Sequence, residues 1–364
     1  MKVNLNLAVV SLCCVIVVVT RVSSKQKMMR AVQFGEPGGP EILYIGEVER
    51  PVPGKGEVLI KVKATAINRA DTLQRKGLYP VPAGVTDILG LEAAGEISEI
   101  GPGCSQPWKV GDRVMALLAG GGNAEYVSSP EGQVMPIPST LDFPHAAAIP
   151  EVWVTAFQLL HTIAKVAAGE TVLIHGGASG VGTAAIQLCV QAGARPLVTA
   201  GSAVKLETTR NLGAVGNFNY KEDDVVAGVM KATDGKGVNI VLDCVGGSMY
   251  ETNINVLGMD GRWVVYGLMG GGNVNGDLLR KVLSKRLSIT GTTLRSRSLQ
   301  YKEQLVQDFS RLALPLFENR TFRPVIHTYL TLAEIGRAHE LMESNLNTGK
   351  IILQVEESTG KEEL

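Results

Sequence analysis

Between residue 29 and about residue 119 the apolar positions come in short runs, 30–34, 57–66, 94–100 and 113–118, separated by Gly and Pro. Runs of this length and punctuation predict strands, here in a β-rich, partly barrel-like domain. After Pro150 the period changes. Apolar side chains recur at helical spacing over 152–161 and 182–191, and 171–175 is a short apolar run of strand type. Strand signals over 195–199, 238–243, 262–267 and 287–291 then alternate with helical ones around 205–212 and 249–257. Such alternation predicts an α/β fold with a doubly wound parallel sheet. Helices over 302–314 and 332–343 precede a last strand, 350–355. No helix follows that strand to cover a parallel edge, so it is expected to return to the first domain.

The two ends read differently from the rest. Lys2 precedes an apolar run over 7–19, and Val22-Ser23-Ser24 offers small side chains before Lys25. A run shorter than the roughly 20 residues of a membrane span predicts a cleaved signal peptide over 1–24, leaving no stable span. The polar tail 356–364 ends in Lys361-Glu362-Glu363-Leu364, which resembles a KDEL-type retrieval signal. Together they predict residence in the lumen of the endoplasmic reticulum, with the cytoplasm as the location if the ends are misread. Asn319-Arg320-Thr321 is a glycosylation sequon that a lumenal chain would expose.

Composition narrows the partners. Lys plus Arg and Asp plus Glu are each 35, so no net field gathers nucleic acid, and a small neutral or weakly charged substrate is expected. Hydrophobic residues make up 45% of the chain, enough for a large core across two domains. The 42 glycines exceed what turns require, and close approach of backbone to a ligand is one use for the excess. Cys104, Cys189 and Cys244 lack framework spacing and read as free thiols.

The chemistry concentrates at Thr171-Val-Leu-Ile-His175-Gly176-Gly177-Ala178-Ser179-Gly180-Val181-Gly182. A strand ends here and a helix begins, the context that a dinucleotide fingerprint requires. Gly177 is expected to make the turn, Gly180 to leave room for a pyrophosphate beside Ser179 and Val181, and Gly182 to let helix and strand pack closely. About 20 residues on, where an NAD site places a carboxylate, stands Thr199-Ala200-Gly201-Ser202, with Lys205 after it. Without a carboxylate to repel a 2′-phosphate, and with Lys205 to pair with it, NADPH is favoured over NADH. Tyr220 is a further candidate at the same phosphate.

Asn68-Arg69-Ala70-Asp71, the run 89–95, Gly111-Asp112-Arg113-Val114, Ala124-Glu125-Tyr126 and the run 260–267 complete a set of motifs in one order. With them the chain resembles, from about 29 to 355, the zeta-crystallin-like quinone oxidoreductases of the medium-chain dehydrogenase/reductase superfamily, the p53-inducible type most of all. The resemblance implies a Rossmann domain, 151–291, inserted into a GroES-like catalytic domain formed by 29–150 and 292–355. It also implies a homodimer, with 287–292 as the place where two sheets join.

Zinc enzymes of that superfamily carry Cys where this chain has Asn68 and His where it has Leu91, and neither replacement ligates zinc. The implied reaction is therefore hydride transfer from NADPH to a quinone or related conjugated carbonyl with no metal. By resemblance Tyr79 and Ser179 donate to the acceptor oxygen and Asn68 sits near the nicotinamide or the substrate. Gly267, Leu268 and Met269 run along the nicotinamide, and Lys350 is a late basic residue that reaches the cofactor. Two alternatives stay open, an enone or alkenal double-bond reductase and a catalytically weak NADPH-binding protein.

Overall fold

The computed structural model describes residues 27–355, so the signal-peptide and retrieval expectations lie outside the described residues. Two sheets organise the chain. The catalytic part begins with β1 (Met28–Gln33) paired antiparallel with β2 (Tyr44–Glu49). It continues through β3 (Glu57–Ala66), α1 (Arg69–Arg75), β4 (Glu92–Ile100), β5 (Arg113–Leu117), β6 (Tyr126–Pro130), β7 (Val134–Pro136) and α2 (Phe143–Ala147).

α3 (Pro150–Phe157) then leads by a π-helical turn, Gln158–Ile163, into the nucleotide part. There follow β8 (Thr171–Ile174), α4 (Gly180–Gln191), β9 (Arg195–Ala200), α5 (Ala203–Asn211), β10 (Gly216–Asn219), α6 (Val225–Ala232), β11 (Val238–Asp243), α7 (Tyr250–Val256), β12 (Leu257–Val265), α8 (Leu278–Lys285) and β13 (Ser288–Gly291). The chain returns through α9 (Leu299–Glu318), β14 (Ile326–Thr331), α10 (Ile335–Glu343) and β15 (Lys350–Gln354).

The nucleotide sheet runs β10-β9-β8-β11-β12-β13 with every pairing parallel, the doubly wound arrangement that the alternating pattern predicts. Its central strand β8 is buried at all four positions, which accounts for a continuous apolar run rather than an alternating one. In the catalytic sheet, ordered β14-β15-β3-β4-β5-β7, the last strand β15 pairs antiparallel with β3, so the chain end does return to the first domain.

One core joins the two parts. Ala64, Ala66 and Ala94 of the catalytic sheet share it with Ile174 and Val198 of the nucleotide sheet and Ile186 of α4. α3 and α9 fill the space between, where Trp153 packs against Phe317 with ring centroids 4.7 Å apart and against Phe322 at 4.9 Å. Cys104, Cys189 and Cys244 are free thiols.

Candidate active site

Where β8 ends, Gly176 takes a left-handed backbone (φ +64°), so the turn is made by Gly176 rather than by Gly177. Gly177 is needed for another reason: a Cβ there would lie 2.6 Å from Val198 Cβ. At Gly182 a Cβ would meet Gly176 O at 2.4 Å, so only glycine lets α4 start against the end of its own strand. Ser179 is the N-cap of α4, its hydroxyl accepting from Gly182 N at 3.0 Å. The first turn of α4 thus presents amides without intrahelical partners to whatever lies above the turn.

That turn forms the floor of a cleft of about 570 Å³ between the sheets. Of the sequence-derived candidates, Asn68, Ser179, Gly180, Val181, Lys205, Tyr220, Met269 and Lys350 line it. Gly177, Gly182, Ser202, Gly267, Leu268 and Tyr79 do not: the glycines shape the backbone, and Ser202 caps α5 by accepting from Lys205 N at 3.4 Å. Leu268 is exposed.

At the nucleotide end, Lys205 and Lys221 stand together beside Tyr220, whose hydroxyl closes on Gly201 so tightly that a Cβ there would lie 2.7 Å from it. The Lys205 amine is held below its ordinary pKa, first by partial burial and then by the charge of Lys221. Two crowded cations, one of them half-desolvated, fit an anion such as a 2′-phosphate. Lys205 Nζ also donates to Asn345 O at 2.5 Å, tying α5 to the loop before β15.

On the catalytic side the polar groups form a closed network. Lys350 is almost wholly buried, and its ammonium donates to Ile67 O at 2.8 Å, to Asn68 Oδ1 at 2.7 Å and to Glu92 Oε1 at 2.7 Å. Its three protons are spent inside the protein, so Lys350 meets the cleft with its alkyl stem. That stem packs on Gly180, where a Cβ would sit 2.8 Å from Lys350 Cδ. Asn68 Nδ2 donates to Glu92 Oε1 at 2.9 Å, and the other carboxylate oxygen, Glu92 Oε2, accepts from Glu151 N at 2.9 Å. Asp71, fully buried, accepts from Asn68 N at 2.8 Å and Gly90 N at 3.0 Å, while burial pushes its carboxyl up to about 6. Leu91, between these groups in sequence, is buried apolar core. Among the described residues no three His, Cys, Asp or Glu side chains converge as a metal site, and no helix is long and apolar enough to cross a membrane.

The comparisons with known proteins agree with this geometry. Residues 54–139 match the alcohol dehydrogenase GroES-like domain family and residues 180–311 the zinc-binding dehydrogenase family. The quinone oxidoreductase of Rattus norvegicus is 34% identical over 331 residues, covering 90% of this chain and 98% of that protein. The chain belongs to the quinone oxidoreductase family of the medium-chain dehydrogenases/reductases. Among solved structures, Escherichia coli quinone oxidoreductase complexed with NADPH matches with a TM-score of 0.79 and 30% identity, over 89% of this chain and 99% of that one. CurK enoyl reductase matches with a TM-score of 0.80 and 29% identity, over 90% of this chain and 99% of that one.

This quinone oxidoreductase-family cleft also contains residues that motif reading missed. Cys244, Val245, Ser248 and Met249 enter from the end of β11, and burial pushes the Cys244 thiol up to about 11, leaving it protonated. Asn345, Asn347 and Gly349 close the other side. Gly349 has φ +73° and donates to Ala178 O at 2.8 Å, which ties the catalytic part to the phosphate turn. The sequence signal for it was Asn-x-Asn-x-Gly immediately before a strand.

Proposed function

We propose that this chain is an NADPH-dependent oxidoreductase that reduces quinones or related conjugated carbonyls without zinc. The observation that carries the reading is the meeting, in one cleft, of a phosphate turn, the Lys205 amine with the charge of Lys221 near it, and an Asn68 carboxamide clamped between Lys350 and Glu92. The structure of the Escherichia coli relative with NADPH supports the cofactor, and the names of the curated relatives support the acceptor class.

When bound, NADPH supplies a hydride from the nicotinamide C4. Everything else falls to the chain. The α4 amides and Ser179 hold the phosphates, Lys205 and Lys221 select the 2′-phosphate, and Val152 and Met269 contribute apolar wall. Asn68 and Glu92 hold the Lys350 ammonium inside the protein, so its alkyl stem forms part of the cleft wall beside Gly180. The resemblance makes Tyr79 the donor to the acceptor oxygen, from a position against Arg295 outside the lining of the cleft. Quinones suit a site with no Lewis acid because two-electron reduction makes their ring aromatic.

The test is NADPH and NADH oxidation by the full chain with an ortho-quinone, a para-quinone and a set of enones, with and without a chelator. Quinone turnover with NADPH that survives chelation is expected. Activity that vanishes on chelation and returns with zinc, or absence of NADPH binding, overturns the reading. The similarity to CurK enoyl reductase supports a second reading, reduction of the carbon–carbon double bond of an enone, and turnover of enones alone would establish it. NADPH binding without any turnover would instead mark a binding protein.

We also propose a homodimer joined at β13. In support, this edge strand is exposed at all four positions, and Leu279 and Leu283, one turn apart on α8, are each 81% exposed. Residence in the endoplasmic reticulum is a further proposal, supported by the sequence of the two ends. Asn319, exposed at the end of α9 with its Oδ1 accepting from Thr321 N at 2.9 Å, provides the test: endoglycosidase-sensitive glycan on the full chain.

A further inference from the structure

Beneath the phosphate turn runs a chain of buried polar side chains. His175, the residue between β8 and Gly176, is wholly buried, as are Asp243 and Asn253. Its Nδ1 lies 2.9 Å from Thr199 Oγ1 near the end of β9, and its Nε2 lies 2.6 Å from Asn253 Oδ1 on α7. Asn253 Nδ2 donates to Asp243 Oδ2 at 2.9 Å, and Trp263 Nε1 of β12 donates to the same oxygen at 3.0 Å. Asp243 Oδ1, at the end of β11, accepts from Val245 N at 2.7 Å and from Gly246 N at 3.0 Å. One chain of hydrogen bonds thus joins the ends of three neighbouring strands.

The pattern fixes where the protons are. Val245 N, Gly246 N and Trp263 Nε1 already point at the Asp243 carboxylate, so the Asn253 carboxamide turns its Nδ2 to that carboxylate and its Oδ1 to His175. His175 Nε2 therefore carries a proton, and Nδ1 accepts from the Thr199 hydroxyl. Burial holds the imidazole below its ordinary pKa, against the hydrogen bond to Asn253 and the charge of Asp243, which agrees with a neutral ring. Both ends of the chain carry parts of the cleft. Thr199 lines it, and Thr199 O accepts from Gly177 N of the phosphate turn at 2.9 Å. At the other end Met269 N donates to Cys244 O at 3.1 Å and Gly270 N to Val245 O at 2.7 Å, and all four of these residues line the cleft.

We propose that His175 is a positioning residue for the dinucleotide: as the neutral, Nε2-protonated tautomer it sets the spacing between the phosphate turn with Thr199 and the 243–246 loop with Met269 and Gly270, and so the width of the groove in which the cofactor lies. This rests on the NADPH-dependent reading above. His175 itself does not line the cleft, so its effect passes through these two walls. An imidazole suits the task because one planar ring offers a donor and an acceptor at fixed positions. Without it, Thr199 Oγ1 and Asn253 Oδ1 lose their partner at a buried place, and the walls must shift to satisfy them. The chain lies under parts of the groove that NADPH and NADH share, so its loss weakens both by one factor. Lys205 and Lys221, which meet the 2′-phosphate in the function proposed above, act on NADPH alone.

The experiment compares full-length wild type, His175→Leu, His175→Gln, Asn253→Leu and the double variant with leucine at both positions. Nicotinamide fluorescence reads Kd for NADPH and for NADH, quinone reduction at saturating cofactor reads kcat, and the thermal midpoint reads folding. In H175L both Kd values should rise by the same factor, about 10-fold, with a smaller fall in kcat. H175Q, whose amide can donate to Asn253 Oδ1 and accept from Thr199, should recover most of that affinity. The double variant should bind no more weakly than the weaker single variant, because either substitution already breaks the chain. Nitrogen NMR of wild type labelled in its histidines should show a neutral, Nε2-protonated ring whose signal is absent from H175Q. A folded H175L with wild-type affinity for both cofactors overturns the positioning role alone, and so does a loss confined to NADPH or an H175Q that binds no better than H175L. Should H175L not fold, the wild-type ring decides: a charged or Nδ1-protonated His175 overturns the role. A wild type that binds neither dinucleotide overturns the function reading, and the positioning role with it.

Discussion

The two walls of the cleft recognise in different ways. On the nucleotide side recognition is built from backbone: Gly176, Gly177, Gly180 and Gly182 define a turn, and the amides of α4 face the ligand. The residues doing this lie within eight positions, because a strand-turn-helix unit is local. On the catalytic side recognition is built from side-chain charge. Asn68, Asp71, Glu92, Glu151, Arg295, Lys302 and Lys350 come from widely separated segments, and only Asn68 and Lys350 were singled out as site residues without their partners. A backbone site fails by steric collision; a charge site fails by a change in protonation or pairing.

Substitutions on each side should show this contrast, and the largest effect belongs to the backbone. Gly182→Val places carbon atoms where Gly176 O already stands, so NADPH binding followed by nicotinamide fluorescence should be lost and kcat/KM should drop by more than about 100-fold. Retained affinity would show that the turn is more pliable than its contacts indicate. Next comes the basic pair. Lys205→Ala with Lys221→Ala should raise KM for NADPH by about 10- to 100-fold, the worth of hydrogen bonds to a charged group, and leave KM for NADH nearly unchanged. Equal losses with both cofactors would place the 2′-phosphate elsewhere.

Smaller still, Tyr79→Phe keeps the ring against Arg295 and removes only the hydroxyl, so kcat should fall about 10-fold at constant NADPH affinity. A rise in KM for NADPH instead would put Tyr79 in cofactor binding. The smallest effect on activity should come from the outer surface. Leu279→Lys with Leu283→Lys should convert a dimer to a monomer in analytical ultracentrifugation while kcat stays near wild type. A wild type already monomeric removes that interface.

Much of the nucleotide part was legible beforehand because its signals are periodic. β8, α4, β9, α5, β11 and α7 follow from apolar spacing and from the glycine turn. β10, with the sequence Gly216-Asn217-Phe218-Asn219, is too short and polar to signal a strand; it forms as an edge paired only with β9. α6 is short and glycine-containing and gives the core only Val225 and Val229, and α8 has no buried residue, so neither carries an apolar helical pattern longer than one turn. β12 extends earlier than its apolar run, starting at Leu257, where Leu257 pairs with Val238 of β11. The role of Lys350 was read as a reach toward the cofactor, whereas the ammonium turns inward to Glu92, since a buried carboxylate is the stronger attraction.

The amino-acid sequence alone determined the doubly wound sheet, the phosphate turn, the absence of a carboxylate after β9, and the replacement of two zinc ligands by Asn68 and Leu91. Each is a statement about which atoms a position can offer, and that is set by residue type and near neighbours. Only the tertiary structure decided which charges meet. Asn68 and Lys350 touch across 282 positions, and Glu151 keeps its proton because burial and the carboxylate of Glu92 make ionisation costly. Protonation and pairing depend on distance and solvent exclusion, which exist only once the chain has folded.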